Sequence, residues 1–373
     1  MQTFPNEPIR ILQVVTNMSF GGLENLLMNY YRNIDRSKVQ FDFLTHVDIH
    51  QDFEEEIAAL GGKLYRLPRL NPLSISYRKV LNAFFREHPE YRIVHSHLNC
   101  MSAVPLKAAK QCGVPVRIAH SHTSSVVRNL KMVLKYLYRP LIPHYATALF
   151  ACGKKSGDWM FRGAPYTVVQ NAIDARKYRF DRDVSLRMRR ELGLGDHFVV
   201  GHVGQFRVEK NHLFLIDVFA EVLKHHPNSR LVLVGKGPLM EPAMQRADAL
   251  GIREKILFLG ARADIPELMQ TMDVFVLPSL YEGLPVTMVE AQAAGIPCVI
   301  SDGVPLECVL TDAVEQLTLS TPPLHWAKTI LRNRELQRAD RLDTIITAGF
   351  DIRTNVAWLE NYYLTAYRNL RIQ

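Results

Sequence analysis

A chain of 373 residues, 47% hydrophobic and 22% charged, is long for one core and suited to two domains; its balance is that of a folded protein, not a disordered one. No run of about 18 or more apolar residues occurs, which excludes a membrane-spanning helix. The formal net charge of +8 is unevenly placed: Tyr91 to Gly157 holds no Asp or Glu but carries Arg92, Lys107, Lys110, Arg117, Arg128, Lys131, Lys135, Arg139, Lys154 and Lys155. Such a stretch is a positive surface suited to phosphate-rich partners or an anionic membrane face, or a solvated face that only aids solubility. The opening MQTFPNEPIR lacks the basic start and apolar run of a signal peptide. Five cysteines (Cys100, Cys112, Cys152, Cys298, Cys308) without metal-type spacing read as reduced thiols in a cytoplasm.

The first strand is expected at 11–16, followed by Gly21-Gly22 and helical spacing over 22–34. The glycines let backbone approach a ligand closely, although a plain turn at a helix start needs them as well. Their spacing is not G-x-G-x-x-G, so a dinucleotide is disfavoured. Further strands are expected at 40–46, 92–97, 116–120 and 147–152, with helical spacing over 73–87 and 100–111. His95/His97 and His120/His122 stand at strand ends. Residues i and i+2 face the same way, so each pair can hold a metal, yet no carboxylate lies nearby in sequence to complete a hydrolytic zinc site. No metal is therefore expected; one histidine reaching a reaction centre, with the others packed, is the favoured reading. Over 124–140, Arg128, Lys131, Lys135 and Arg139 fall near one helical face, fit for a membrane surface or a lipid-phosphate acceptor, or for a basic surface helix with no partner.

A polar linker spans about 172–184, and strands resume at 197–204, 230–235, 255–260, 273–278 and 297–301. Strands alternating with helices give parallel sheets covered on both faces. The α/β pattern that restarts after the linker predicts two Rossmann-like domains facing across a cleft, residues 1–171 and 172–354, with an amphipathic tail helix at about 355–373 returning to the first domain. Asp181-Arg182-Asp183 looks like a D-x-D metal motif, but its place before a helix favours capping.

In GHVGQFRVEKNH (201–212) a strand ends at Gly204, and Arg207 and Lys210 follow before a helix near Asn211. Two cations at such a turn can clamp a diphosphate and stabilise it as a leaving group. PSLYEGLPVTMVEAQAAGIPCVISD (278–302) places Glu282 on a loop and Glu290 in the helix after it. Pro285 suits the helix's first turn and Gly295 its C-terminal end. Eight helical residues rise about 12 Å, the span from a sugar ring across a diphosphate to a ribose. The helix start between the two glutamates offers free N–H groups to that diphosphate.

Taken together, these motifs resemble the family-4 retaining glycosyltransferases of the GT-B fold, closest to bacterial enzymes of capsular or exopolysaccharide assembly. Softer matches are VHSHLN, AHSHTSS, VVQNAID, VGKGP and FLGARADIPELM. The resemblance implies Glu290 at the nucleotide ribose, Glu282 at the donor sugar and Arg207 with Lys210 at the diphosphate. It places the backbone of Gly283, Leu284 and Val286 along sugar and phosphate, with Gly204 also at the donor. Gly22 would lie under the donor phosphate, Arg262 near the base through its backbone, and His122 beside the donor sugar, with His120 a competing alignment. Asn171-Ala172 departs from the usual Asn-Gly, and the region after Glu307 diverges. The implied reaction moves a sugar, UDP-linked at the family level, to a glycan or lipid-linked glycan, with retention and no metal or cofactor. No nucleic-acid partner is implied, and a cytoplasmic protein with peripheral contact to the inner membrane face is expected. The alternatives are a sugar-nucleotide epimerase of similar two-domain fold, separable by incubation with donor alone, a non-catalytic sugar-nucleotide-binding protein, and, more distantly, a zinc hydrolase.

Overall fold

The computed structural model describes residues 7–123 and 132–370. The chain divides into two compact units, Met1–Ala172 with Ile352–Gln373, and Ile173–Asp351.

The first unit runs β1 (Ile9–Val14), α1 (Gly22–Asn33), β2 (Val39–Thr45), α2 (Glu54–Ala59), β3 (Leu64–Arg66), α3 (Ile75–Glu87), β4 (Ile93–Ser96), α4 (Ala103–Gln111), β5 (Val116–Ser121), α5 (Met132–Tyr138), α6 (Ile142–Tyr145), β6 (Ala148–Ala151), α7 (Lys154–Phe161) and β7 (Thr167–Val168). Its sheet has the order β3-β2-β1-β4-β5-β6-β7, every pairing parallel. Successive residues of a strand point to opposite faces, and both faces here are covered. Ile11 joins Phe41, Phe43 and Tyr31 on one side, while Leu12 joins Leu44, Leu81 and Phe84 on the other. The closing helix, α15 (Ile352–Asn369), belongs to this unit; Val356, Leu359 and Tyr363 recur at helical spacing on its buried stripe.

The second unit runs α8 (Arg182–Glu191), β8 (Phe198–Val203), α9 (His212–His225), β9 (Ser229–Val234), α10 (Met240–Ala249), β10 (Ile256–Phe258), α11 (Ile265–Met269), β11 (Val274–Leu277), α12 (Val286–Ala293), β12 (Cys298–Ser301), β13 (Val314–Leu317), α13 (Pro323–Arg332) and α14 (Leu342–Thr347). Its sheet order is β10-β9-β8-β11-β12-β13, again all parallel, with Val200, Leu215, Phe219 and Trp326 in one continuous core.

Strands β3, β7 and β13 were not among the expected ones. They lie at or next to sheet edges, run two to four residues and are only half-buried or exposed, so they lack the apolar run that marks a central strand. The helix expected over 100–111 begins instead with a 3-10 turn, Asn99–Ser102. Asp181 caps α8, its carboxylate accepting from the backbone N–H of Asp183 and Val184, which accounts for the D-x-D lookalike. Of the basic segment, Arg128 and Lys131 lie outside the described residues, as do the first six residues and 371–373; Arg139 stacks 4.8 Å from Trp159. No described helix is long and apolar enough to cross a membrane.

In both sheets the strand order reverses beside the unit's first strand, between β1 and β4 and between β8 and β11. Loops diverging from such a pair leave a crevice at the strands' carboxyl ends, where open α/β sheets take ligands.

Candidate active site

The crevice of the second unit is made by loops 204–211 and 278–285, which leave β8 and β11. The N–H of Leu280 donates to the carbonyl of Glu209 at 2.8 Å, joining the loops. Lys210 Nζ reaches Glu282 Oε1 at 2.6 Å with both side chains mostly enclosed, and the Ser279 hydroxyl donates to the same oxygen at 2.6 Å. Gly303 makes room for this loop, since a Cβ there would stand 2.4 Å from the carbonyl oxygen of Leu280 and 2.5 Å from that of Ser279. Gly204 packs on His202 and Lys210; a Cβ there would lie 2.9 Å from His202 Nε2 and 3.3 Å from Lys210 Cδ. Arg207 is exposed and, among the described residues, its guanidinium has no ion-pair partner. The crevice therefore holds one cation already neutralised by a carboxylate and one unpaired.

Helix α12 points its start into the same loop. Pro285 is its N-cap rather than its first helical residue, and Gly295, at φ 67°, closes its far end. Among the described residues, the N–H groups of Gly283, Leu284 and Val286 find no backbone acceptor, and the buried Thr287 hydroxyl has no partner. A helix start with open donors is an anion site in waiting. Further along, Glu290 Oε1 accepts from the Tyr178 hydroxyl at 2.7 Å. Burial raises the Glu290 carboxyl to about 7, against a smaller lowering by that hydrogen bond. Arg262, on the loop after β10, is paired with Asp264, Nε to Oδ1 at 2.8 Å.

In the first unit, Gly22 opens α1, and a Cβ there would meet nothing within 4 Å. No protein atom demands that glycine, in contrast to Gly303. At the ends of β4 and β5 the four histidines form one stack, with His95 and His97 ring centres 4.3 Å apart and His120 and His122 4.1 Å apart. His97 Nε2 meets Gln13 Oε1 at 2.8 Å and its Nδ1 meets His122 Nε2 at 2.9 Å. An amide oxygen only accepts, so His97 carries its proton on Nε2, and His122 donates from Nε2 to the bare His97 Nδ1. His95 Nδ1 meets the Tyr363 hydroxyl of α15 at 2.7 Å. The backbone N–H of His122 donates to Asn99 Oδ1 at 2.8 Å; Asn99 itself holds φ at 50°, a left-handed conformation uncommon outside glycine. Burial lowers His122 to about 3 and holds His95, His97 and His120 well below the usual imidazole range. All four are neutral. Ligating atoms of His95, His97 and His120 lie within 4.8 Å of one another, but both His97 nitrogens are engaged, and only His95 Nε2 and the two His120 nitrogens lack partners in that trio.

The structure thus brings Lys210, Glu282, Gly204 and the amides of Gly283, Leu284 and Val286 to one crevice, with Glu290 in the helix that leaves it and Arg207 on its rim. Arg262 stands on a separate loop, and Gly22 and His122 sit in the first unit. Ser279, Thr287, Tyr178 and Asn99 were not singled out from sequence, where a lone hydroxyl or amide carries no spacing signal.

A family model described as Glycosyl transferases group 1 matches residues 185–338, and one described as Glycosyltransferase Family 4 matches residues 20–177. The protein named glycosyltransferase EpsF of Bacillus subtilis is 39% identical, over 95% of this chain and 96% of its own length. A UDP-Gal:alpha-D-GlcNAc-diphosphoundecaprenol alpha-1,3-galactosyltransferase of Escherichia coli is 28% identical, over 57% of this chain and 58% of its own. Among solved structures, Anabaena Alr3699/HepE in complex with UDP-glucose matches with TM-score 0.78 at 21% identity, over 96% of this chain and 99% of that one. Sucrose-phosphate synthase from Thermosynechococcus elongatus matches with TM-score 0.74 at 16% identity, over 96% and 99%.

Proposed function

We propose that this chain, which belongs to glycosyltransferase family 4, moves a sugar from a UDP-linked donor to a hydroxyl of a glycan or lipid-linked glycan in bacterial capsule or exopolysaccharide synthesis, with retention and without a metal. The coarser statement, a glycosyltransferase acting on a nucleotide sugar in polysaccharide biosynthesis, follows from its relatives. UDP is chosen because that Escherichia coli relative is named for a UDP-sugar and the Anabaena neighbour was solved with one.

The observation that carries the reading is the crevice of the second unit, where Lys210 and Glu282 touch at 2.6 Å beside Arg207 and the open amides at the start of α12. The diphosphate takes those amides together with Arg207 and Lys210, and Lys210 exchanges Glu282 for a phosphate oxygen. Freed, Glu282 accepts from a sugar hydroxyl, while Glu290 accepts from the ribose. Retention follows if the acceptor oxygen attacks the anomeric carbon on the face from which the diphosphate departs. The bond from that carbon to the phosphate oxygen breaks as the new glycosidic bond forms, and the departing phosphate takes the acceptor's proton. A two-step route needs a carboxylate nucleophile beside a carboxylic acid at the sugar; Glu290 is held by Tyr178 and assigned to the ribose, which leaves Glu282 as the one carboxylate assigned to the sugar. Metal independence is supported by the two cations of the crevice and by the engaged nitrogens of His97.

In the first unit, Gly22 and His122 are assigned to the donor and Arg262 of the second unit to the base. The exposed Val133 and Leu137 of α5, with Lys135 between them, fit contact with an anionic membrane face.

A thermal-shift panel of UDP-, GDP-, ADP- and dTDP-sugars tests the donor. A ligand bound only by the folded state at 100 times its Kd adds about 2.7 kcal/mol, so UDP-sugars should raise the midpoint above the rest. No shift with any of them at millimolar concentration would remove the reading. The anomeric proton coupling in the product tests retention.

A further inference from the structure

Tyr178 belongs to none of the motifs that point to the donor. It ends the turn Ala175–Tyr178 in the linker and is 8% exposed. Its backbone carbonyl accepts from Gln270 Nε2 at 3.1 Å, and the turn is pinned further by Arg176 against Asp351 at 2.8 Å. The ring thus enters the protein from a fixed backbone, and its hydroxyl meets the Glu290 carboxylate of α12 at 2.7 Å.

We propose that Tyr178 is a positioning residue of the donor site: by holding Oε1 of Glu290 it turns the carboxylate so that Oε2 is presented to a ribose hydroxyl of a nucleoside diphosphate. The inference rests on the ribose reading of Glu290 above. The terminal torsion of a glutamate is broad, so an unheld carboxylate loses freedom when it engages a ligand, and that loss weakens binding. A phenol O–H donating to a carboxylate is a charge-assisted bond, and it settles the torsion before the ligand arrives.

The bond also acts on the charge. Burial raises the Glu290 carboxyl, and Tyr178 lowers it, to a net value of about 7. Among the described residues, ionisable groups on elements packed against α12 also include Asp174, Arg176 and Lys177 of the linker turn, Asp343 of α14, Cys298 of β12, and Glu307 and Cys308 of the turn Leu306–Cys308. Arg176 is paired with Asp351 and Lys177 with Asp174, burial pushes the Cys298 thiol up, and Tyr178 is the group hydrogen-bonded to the Glu290 carboxylate. The ionised form is the one that accepts two O–H groups. UDP affinity therefore falls as pH drops through about 7, and removal of the phenol O–H makes the fall begin at a higher pH.

The test is calorimetric titration of the full chain with UDP from about pH 5 to pH 9, in the wild type, Tyr178→Phe and Glu290→Gln. Tyr178→Phe should bind UDP about tenfold more weakly at neutral pH, with its acid limb moved upward. Its donor KM should rise while kcat at saturating donor stays within about twofold. Glu290→Gln should bind weakly, and the only acid limb left should be that of the UDP terminal phosphate, at about pH 6. If Glu290→Gln weakens UDP but Tyr178→Phe changes neither affinity nor profile, the positioning role is overturned and the ribose reading stands. If Glu290→Gln binds UDP as the wild type does, the ribose reading fails and this inference with it. Should Tyr178→Phe not fold, 3-fluorotyrosine placed at position 178 keeps the shape and strengthens the O–H donor. The acid limb should then move to lower pH, and an unmoved limb overturns the proposal.

Discussion

Lys210 is the residue on which most of the proposed chemistry converges. In the free protein its ammonium is neutralised by Glu282 at 2.6 Å, and the proposed reaction asks it to stabilise charge that develops on the departing diphosphate. Preorganised cations of this kind are worth about 100-fold or more in rate. Lys210→Ala should thus lose at least that factor in kcat with a folded protein by circular dichroism, and near-normal turnover would remove the clamp. Glu290 has a cost of its own. Its carboxyl is raised from 4.5 in the unfolded reference to about 7 in the fold, so the folded state holds the proton more tightly. Its favourable share of stability is complete below about 4.5 and is lost as pH rises through about 7. Glu290→Gln should therefore be less sensitive to pH across that window and melt above the wild type at about pH 8, while binding UDP more weakly. Equal midpoints at pH 8 would show that the carboxylate is not buried at a penalty. Lys210, Glu282 and Glu290 were legible in the sequence because a cation pair after one strand and two acids around a helix start have a spacing that chemistry constrains. Tyr178 and Asn99 were not: each acts through a partner 112 or 23 positions away, and only the fold makes them neighbours.

At the scale of elements, the loop before α12 depends on its neighbour. Gly303 lies under Ser279 and Leu280, and an added Cβ would meet backbone oxygens at 2.4 and 2.5 Å, which cannot give way as a flexible side chain would. Gly303→Ala should displace the loop that carries Glu282, weakening UDP binding by calorimetry about tenfold or more while the β8–β13 sheet stays folded. Unchanged affinity would mean that the loop's position does not matter to the donor. By contrast, Asp181→Ala should cost about 1 kcal/mol of stability through the lost cap of α8 and leave kinetics alone, as denaturant melts and kcat/KM would show together. The central strands were legible for the same reason that they are buried: a strand covered on both faces, such as β11 with every residue of VFVL buried, reads as a near-continuous apolar run. Short β3, β7 and β13 share only one neighbour or little surface with the core, so nothing in their composition sets them apart from loops.

The order of the chain carries a consequence for the whole molecule. Ile173 pairs with Asp351 in an isolated parallel bridge, the Ile173 N–H donates to the carbonyl of Phe350 at 2.9 Å, and Arg176 is ion-paired with Asp351. The second unit is therefore one uninterrupted segment whose two ends are fastened together, as an inserted domain's are. The first unit is made of two segments: Ile352, Val356, Leu359 and Tyr363 of α15 complete the core on one face of its sheet, and Tyr363 reaches His95. The two units should respond differently to cutting. A fragment of residues 173–351 keeps its own core and, Gly22 apart, every residue proposed here for diphosphate and ribose. It should fold cooperatively and bind UDP, more weakly than the full chain but with the same loss on Lys210→Ala. A chain ending at residue 351 should retain that second unit and lose cooperative melting of the first, because a core face that buried four large side chains is opened to water, at about 1.5–3 kcal/mol for each. If instead the 173–351 fragment folds but shows no affinity for UDP, the second unit does not hold the nucleotide by itself, and Arg207, Lys210 and Glu290 are not sufficient for the role assigned to them.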